Sequence, residues 1–236
     1  MPAQSAPRPR KRARAPLSRE RIVAAALALA NASGDFSMRA LGQRLRVDPM
    51  AIYRHFRDKD ALLEAMVDAA LADFEAPPAD AGDPVERLRQ MGIGFRRALM
   101  AHPGVALRVA TTRPVLGPHT LALTEACVAL LTELGLGQGE AIQAYSALVR
   151  YITGVAGAEQ PVHSAGTSET DWQEEMRSAY ASLPAGQYPH LSRMADEFLH
   201  RGFDEQFEFG LDLLLDALVE RGRRNRAADL TPGDLG

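Results

Sequence analysis

The 236-residue sequence predicts an all-α protein. Apolar residues recur at three- and four-residue intervals along nearly the whole chain, and no stretch alternates convincingly with the period of two that a half-buried strand requires. Pro, Gly, Ser and Asp fall where such helices would begin and end. The length leaves room for a small unit of about 60 residues followed by a larger one.

The first seventeen residues form a basic arm. Arg8, Arg10, Lys11, Arg12 and Arg14 are interleaved with Pro7, Pro9 and Pro16, a composition that cannot fold alone. It is read equally as a solubilising tail or as an arm that enters a nucleic-acid minor groove. The first helix follows, with Ser18 as its cap, Leu17 and Ile22 as a staple and Ser33-Gly34 as its end; Ile22, Ala26, Leu29 and Ala30 would pack inward. Arg19 and Arg21 before an Ala-rich apolar run resemble a secretory signal, but cleavage there would delete a third of the small unit. The lone Cys127 allows no internal disulfide, which fits a reducing cytoplasm. No uncharged apolar run approaches the roughly 20 residues a membrane helix needs.

Between Phe36 and Lys59 the chain reads as two short helices around a tight turn, the layout of a DNA-reading helix-turn-helix. Ser37 caps the first helix, Phe36 staples to Leu41, and Met38, Leu41 and Leu45 share a face. Asp48-Pro49 opens the second, since Pro costs nothing where its missing N–H would be unpaired anyway. Val47 plugs the turn, and Ile52 and Phe56 point inward together. Pro49, Met50, Ala51, Tyr53, His55 and Lys59 remain to touch DNA. Charge placement agrees: residues 1–60 hold 13 Lys+Arg against 5 Asp+Glu, a net of +8, and the remainder 14 against 25, a net of −11, consistent with the overall −3. Phosphate neutralisation requires such a concentration of cations on the reading end.

The larger unit is read as helices throughout. Asp58 caps a connector running to about Phe74, so the reading domain with its connector spans residues 18–74; a small, Pro-rich linker follows from Glu75 to Gly82. Asp83-Pro84-Val85-Glu86 is a capping box for a helix to His102, and a short piece runs from Val105 to Thr112. A helix after Gly117-Pro118 ends near Leu134-Gly135, and another spans Glu140 to about Ala158. A polar loop from Gln160 to Thr170 precedes an amphipathic helix around Trp172, Met176 and Tyr180; Pro184 to Pro189 breaks the chain, and the last helix is Phe203 to Arg221. The larger unit is thus residues 84–221, with 222–236 as a tail. Small residues such as Ala144, Ala147, Gly154 and Gly210 on the helices Glu140–Ala158 and Phe203–Arg221 predict a four-helix-bundle homodimer, as a reader of two half-sites needs a twofold partner; both stripes can equally face the monomer core.

The chain resembles the tetracycline-repressor (TetR) family of dimeric bacterial transcriptional regulators. In the reader the likeness rests on Ser37-Met38-Arg39-Ala40-Leu41, Leu45-Arg46-Val47, Ile52-Tyr53-Arg54-His55-Phe56 and Lys59-Asp60-Ala61-Leu62-Leu63. In the body it rests on Phe95-Arg96-Arg97-Ala98-Leu99, Thr112-Arg113-Pro114 and Phe209-Gly210-Leu211, which resemble the tetracycline-responsive branch. The resemblance implies that Ser37, Arg39, Pro49, Met50, Ala51, Tyr53, His55 and Lys59 contact DNA, with Arg39 suited to a bidentate guanine contact. Pro49 and Arg54 depart from the tetracycline repressor, so its operator does not carry over.

For the body, the resemblance implies a ligand site near Met91, Phe95, Val109, Thr112, Arg113, Leu131, Trp172 and Met176. Met91, Phe95, Val109, Leu131 and Met176 read equally as core, Trp172 either packs or closes the partner's pocket, and Arg113 reaches solvent, an acid such as Glu159, or a polar ligand group. Val109 stands where the tetracycline repressor has its magnesium-binding histidine, Met91 where it has an Asn, and Glu75 where it has a drug-facing His. Val cannot ligate a metal, so no metal and no cofactor is expected, and the effector should be small, largely apolar and ring-containing. His102, His119, His163, His190 and His200 show no zinc-site spacing. The expected function is a regulator, a repressor in the simplest reading, that binds a palindromic operator as a homodimer and is released by that effector. The alternative is an effector-independent dimeric DNA-binding protein, which a fully packed body would favour. No nucleophile elbow, phosphate-cradling Gly loop or metal-ligand spacing points to an enzyme.

Overall fold

The computed structural model describes residues 16–33, 36–78, 80–105, 115–164, 168–197 and 202–229. For 160–164, 195–197 and 229 it describes the backbone alone. The described residues contain ten named helices and no strand: α1 Arg19–Ser33, α2 Met38–Leu45, α3 Pro49–Tyr53, α4 Lys59–Ala70, α5 Pro84–Ala101, α6 Pro118–Glu133, α7 Gln138–Ser164, α8 Glu169–Ala181, α9 Pro189–Glu197 and α10 Phe203–Asp229.

Local cap chemistry sets most of the starts. Ser37 Oγ accepts from Ala40 N at 3.0 Å, Asp48 Oδ1 from Met50 N at 2.8 Å and Asp58 Oδ1 from Ala61 N at 2.7 Å. Asp83 Oδ1 accepts from both Val85 N and Glu86 N, satisfying two of the donors a helix leaves unpaired at its first turn. Ser168 and Asp171 complete a reciprocal capping box at the start of α8.

Two hydrophobic cores result. In the head, α1 to α4 surround Ile22, Leu41, Ile52, Phe56, Leu62 and Met66, each at most 1% exposed. Burial of each such side chain contributes about 1.5–3 kcal/mol. In the body, α5, α6, α7 and α10 enclose Leu88, Leu99, Leu131, Phe207, Leu211 and Leu215. The cores are clipped together twice. Val105, just after α5, is inserted into the head core, with Gly104 against the backbone of Ala30 and Asn31 Nδ2 bonded to His102 Nδ1 at 3.2 Å. Asp68 of α4 then holds the start of α6: its Oδ1 accepts from Thr120 N and Thr120 Oγ1, both at 2.9 Å. Gly117 passes so close to the Asp68 carboxylate that any Cβ there would overlap it.

Several boundaries differ from the sequence reading. The connector expected to reach Phe74 ends at Ala70; residues 71–74 tighten into i→i+3 turns that lay the Phe74 ring against Gly94 of α5. The helix expected to stop near Ala158 continues through Pro161 to Ser164, so the loop is shorter than 160–170. Glu159, buried and bonded to Arg96, anchors the turn before the proline. Helix α9 falls in the stretch after Pro189 to which no helix had been assigned, packed on α8. The last helix runs eight residues past Arg221, into the segment read as a tail. Gly222 sits directly under the Leu134 carbonyl, and Asn225 Nδ2 donates to Gly135 O at 3.0 Å and Glu140 Oε2 at 2.6 Å. Residues 1–15, Val109, Thr112 and Arg113 lie outside the described residues.

Candidate DNA-reading face and ligand cavity

The α2–α3 pair is held by one residue in a conformation that side chains seldom adopt. Arg46 has φ 55° and ψ 48°, in the left-handed region, which closes α2 through its N–H to Gln43 O and turns the chain toward α3. Val47 N then bonds to Gly42 O at 2.9 Å. The turn buries Ile52 and Phe56 and leaves the opposite surface open. Met50 is 66% and Tyr53 40% exposed; Ser37 and Arg39 are also exposed, and Pro49, Ala51, His55 and Lys59 are half-buried at the margins. Lys59 Nζ lies 4.9 Å from the centre of the Phe36 ring, which fixes it beside the start of α2. Arg19 of α1 donates to the His55 carbonyl and stacks 4.1 Å above Phe56. Of the eight residues expected to touch DNA, Ser37 caps α2, Arg39 lies on it, Pro49, Met50, Ala51 and Tyr53 lie on α3, His55 follows its end and Lys59 opens α4; none belongs to the buried core.

The body holds a cavity of about 380 Å³ between α4, α5, α6 and α7. Its apolar walls include Phe74, Met91, Phe95, Leu123, Leu148 and Ile152; α4 contributes Val67, and Leu71, the residue that caps its C-terminus, lines the cavity beside it. Of the residues expected at a ligand site, the fold brings Met91 and Phe95 to this cavity. Leu131 is instead fully buried in the body core, and Trp172 packs on Phe203 with ring centres 5.1 Å apart; neither Trp172 nor the half-buried Met176 lines it. Glu159, one candidate partner for Arg113, accepts from Arg96 Nη2 at 2.8 Å, while Arg96 Nη1 reaches Asp204 Oδ1 at 2.6 Å and the guanidinium covers Phe207. Burial works against the Arg96 charge, but these two carboxylates outweigh it and raise its pKa further.

A polar line crosses the cavity wall. Thr124 Oγ1 donates to Thr120 O at 2.8 Å, so its contact with Tyr145 OH at 2.9 Å is one in which the tyrosine donates. Thr120 in turn donates to Asp68 of α4. Hydrogen bonds therefore run without a break from a cavity-lining hydroxyl on α7 to the connector. Cys127, also on the wall, is desolvated so that its thiol pKa is pushed up to about 12, which keeps it neutral and unreactive. Sequence reasoning missed Val67, Leu71, Thr120, Thr124 and Tyr145. The signal for the first two was the width of the apolar stripe on α4, broader than the head core alone can cover.

A five-residue reading helix on a compact head, joined through a connector to an all-helical body with an apolar cavity, defines a ligand-responsive DNA-binding regulator. Residues 22–66 match the model for "Bacterial regulatory proteins, tetR family", and residues 76–221 match that for "Tetracyclin repressor-like, C-terminal domain". The chain belongs to the TetR family of transcriptional repressors, which bind operator DNA as dimers and respond to small-molecule effectors. It is 30% identical over 220 residues to the HTH-type transcriptional repressor DrrR1 of Streptomyces coeruleorubidus, covering 89% of this chain and 80% of that protein. It is 32% identical over 204 residues to the class A tetracycline repressor of transposon 1721 in Escherichia coli, covering 85% and 89% respectively. The crystal structure of Streptomyces coelicolor ActR with actinorhodin superposes with a TM-score of 0.77 at 30% identity, covering 88% of this chain and 99% of that one. The cavity speaks against the effector-independent alternative. No described helix is long and apolar enough to cross a membrane.

Proposed function

We propose that this regulator is released from its operator, in the cytoplasm, by a flat, ring-bearing and mostly apolar compound carrying hydroxyl or carbonyl groups. The observation that carries the reading is that the connector helix is itself a wall of the cavity. An effector packed between Phe95 and Leu71 pushes on α4 directly, and one that hydrogen-bonds Tyr145 or Thr124 competes with the chain that ends on Asp68. A cavity of this size and apolarity suits a drug-sized ligand, and ActR, a relative by sequence and fold, has been crystallised with actinorhodin. Met91 on the cavity wall replaces a polar contact of the tetracycline repressor, which supports an effector other than the magnesium–tetracycline pair.

Reading occurs through Arg39 of α2 and the exposed row of Met50, Tyr53 and their neighbours, one copy per half-site. The twofold partner docks on α7 and α10, where Ile142, Phe209 and Leu213 are each more than half exposed. Titration of a panel of polycyclic aromatic compounds, actinorhodin among them, into the complex with a selected palindromic duplex tests the switch. Compounds that occupy the cavity should lower operator affinity by about 5- to 150-fold. Asp68→Asn should leave compound binding intact and shrink that factor. If cavity-bound compounds leave operator affinity unchanged, the reading is wrong.

A further inference from the structure

The cavity offers a ligand an uneven set of polar groups. Among the described residues that line it, the hydroxyls are those of Thr120, Thr124, Tyr145, Ser146 and Thr153. Each of them already spends its one proton inside the protein. Thr120 Oγ1 donates to Asp68 Oδ1 at 2.9 Å, Thr124 Oγ1 to Thr120 O at 2.8 Å and Tyr145 OH to Thr124 Oγ1 at 2.9 Å. Ser146 Oγ donates to Ile142 O at 2.9 Å and Thr153 Oγ1 to Val149 O at 2.7 Å. What these oxygens keep for a guest is lone pairs, so the hydroxyl edge of the cavity accepts hydrogen bonds and has none to give. The Cys127 thiol adds only a weak donor.

One strong donor stands apart from them. Arg150 is the single charged side chain among the described residues of the lining, and no described carboxylate pairs with it. It is exposed, four residues after Ser146 and three before Thr153, which places it on the same edge of α7 at the rim of the cavity. Arg96, by contrast, is pinned by Glu159 and Asp204. A free guanidinium presents a planar fork of N–H groups that matches a carboxylate.

Resting on the effector-release reading above, we propose that the effector is a phenolic carboxylic acid on an aromatic ring system. Its hydroxyls donate to the edge formed by Thr124, Tyr145 and Ser146, and its carboxylate meets Arg150 at the mouth. A carbonyl turned to that edge would set lone pair against lone pair and lose the hydrogen bonds it had in water. A carboxylate deep in the apolar part would be costly to desolvate, whereas at the rim it keeps part of its hydration and gains the guanidinium.

The test measures binding of four probes to the full-length protein by calorimetry. They are a hydroxyanthracene carboxylic acid with its two groups at opposite ends, its methyl ester, its methyl ether, and the compound carrying both methyl groups. The acid should bind more tightly than the ester by about 5-fold or more, as one charge-assisted contact at a solvent-facing rim allows. The phenol should exceed its ether by about 5-fold. Arg150→Gln should abolish the acid preference and leave the phenol preference intact, and Arg150→Lys should restore part of the former. High salt should shrink the acid preference alone. The proposal is overturned if the ester or the ether binds as well as its parent, if Arg150→Gln still prefers the acid, or if none of the four binds. Operator affinity measured with the same probes separates the two readings. Probes that bind with both preferences yet leave the operator complex intact uphold this assignment and overturn the release reading; probes that release the operator with neither preference do the reverse.

Discussion

The head and the body of this protein solve opposite packing problems. The head closes a small core in which six large side chains have almost no exposure, with helices as short as five residues. The body has helices of up to 27 residues and still leaves about 380 Å³ unfilled beside its core. A reader has to present a rigid surface, and four short helices give one only when every contact is made. A sensor has to accept a guest, and long helices supply enough contact elsewhere to tolerate the gap.

Truncation should separate the two regimes. Ile52→Ala removes a fully buried head side chain and should cost about 2–5 kcal/mol, measured by denaturant unfolding, with loss of operator binding. Phe95→Ala faces space that is already open and should cost less than half as much, while weakening any cavity-bound compound by about 10-fold or more. Equal costs would mean that the cavity collapses in solution. Next in size, Arg39→Ala alters an exposed residue. It should leave thermal stability within about 0.5 kcal/mol and lower affinity for the preferred duplex by about 5- to 150-fold per half-site, the equivalent of one bidentate base contact. The smallest effect concerns the body alone. Hydrogen bonds from Asn225 and Arg221 hold the Glu140 carboxyl below its usual range, so its contribution to joining α7 and α10 is complete above about pH 4.5 and fades as pH falls through the lowered value. Glu140→Gln should remove that part of the acid dependence of unfolding, and an unchanged acid limb would show that the group contributes nothing.

The head was more legible in the sequence than the body for a physical reason. Ser37, Asp48 and Asp58 act on donors two or three residues away, so their roles are visible in a short window, as is the inward pairing of Ile52 and Phe56. The cavity is a product of four helices whose mutual placement no window contains, which is why Leu131 was expected on its wall and Leu71 was not. Helix ends were misread where distant partners decide them: Pro161 and Gly222 look like stops, but Arg96 bonds to Glu159 in the turn before the proline, and Asn225 and Arg226 bond to carbonyls at the end of α6 beyond Gly222. The left-handed Arg46 left no trace in residue type, since glycine or asparagine is what that geometry favours.

The insertion of Val105 into the head core bears on how such proteins are recombined. A graft that joins this reader to a foreign sensor at the apparent boundary near residue 75 would leave a hole where that side chain sits and strip His102 and Gly104 from α1. A working hybrid has to carry residues 102–105 across with the reader, or supply an equivalent plug from the new sensor. Modularity in this fold is therefore spatial rather than sequential, and swapped chimaeras designed on linear cut points should express poorly until that short segment travels too.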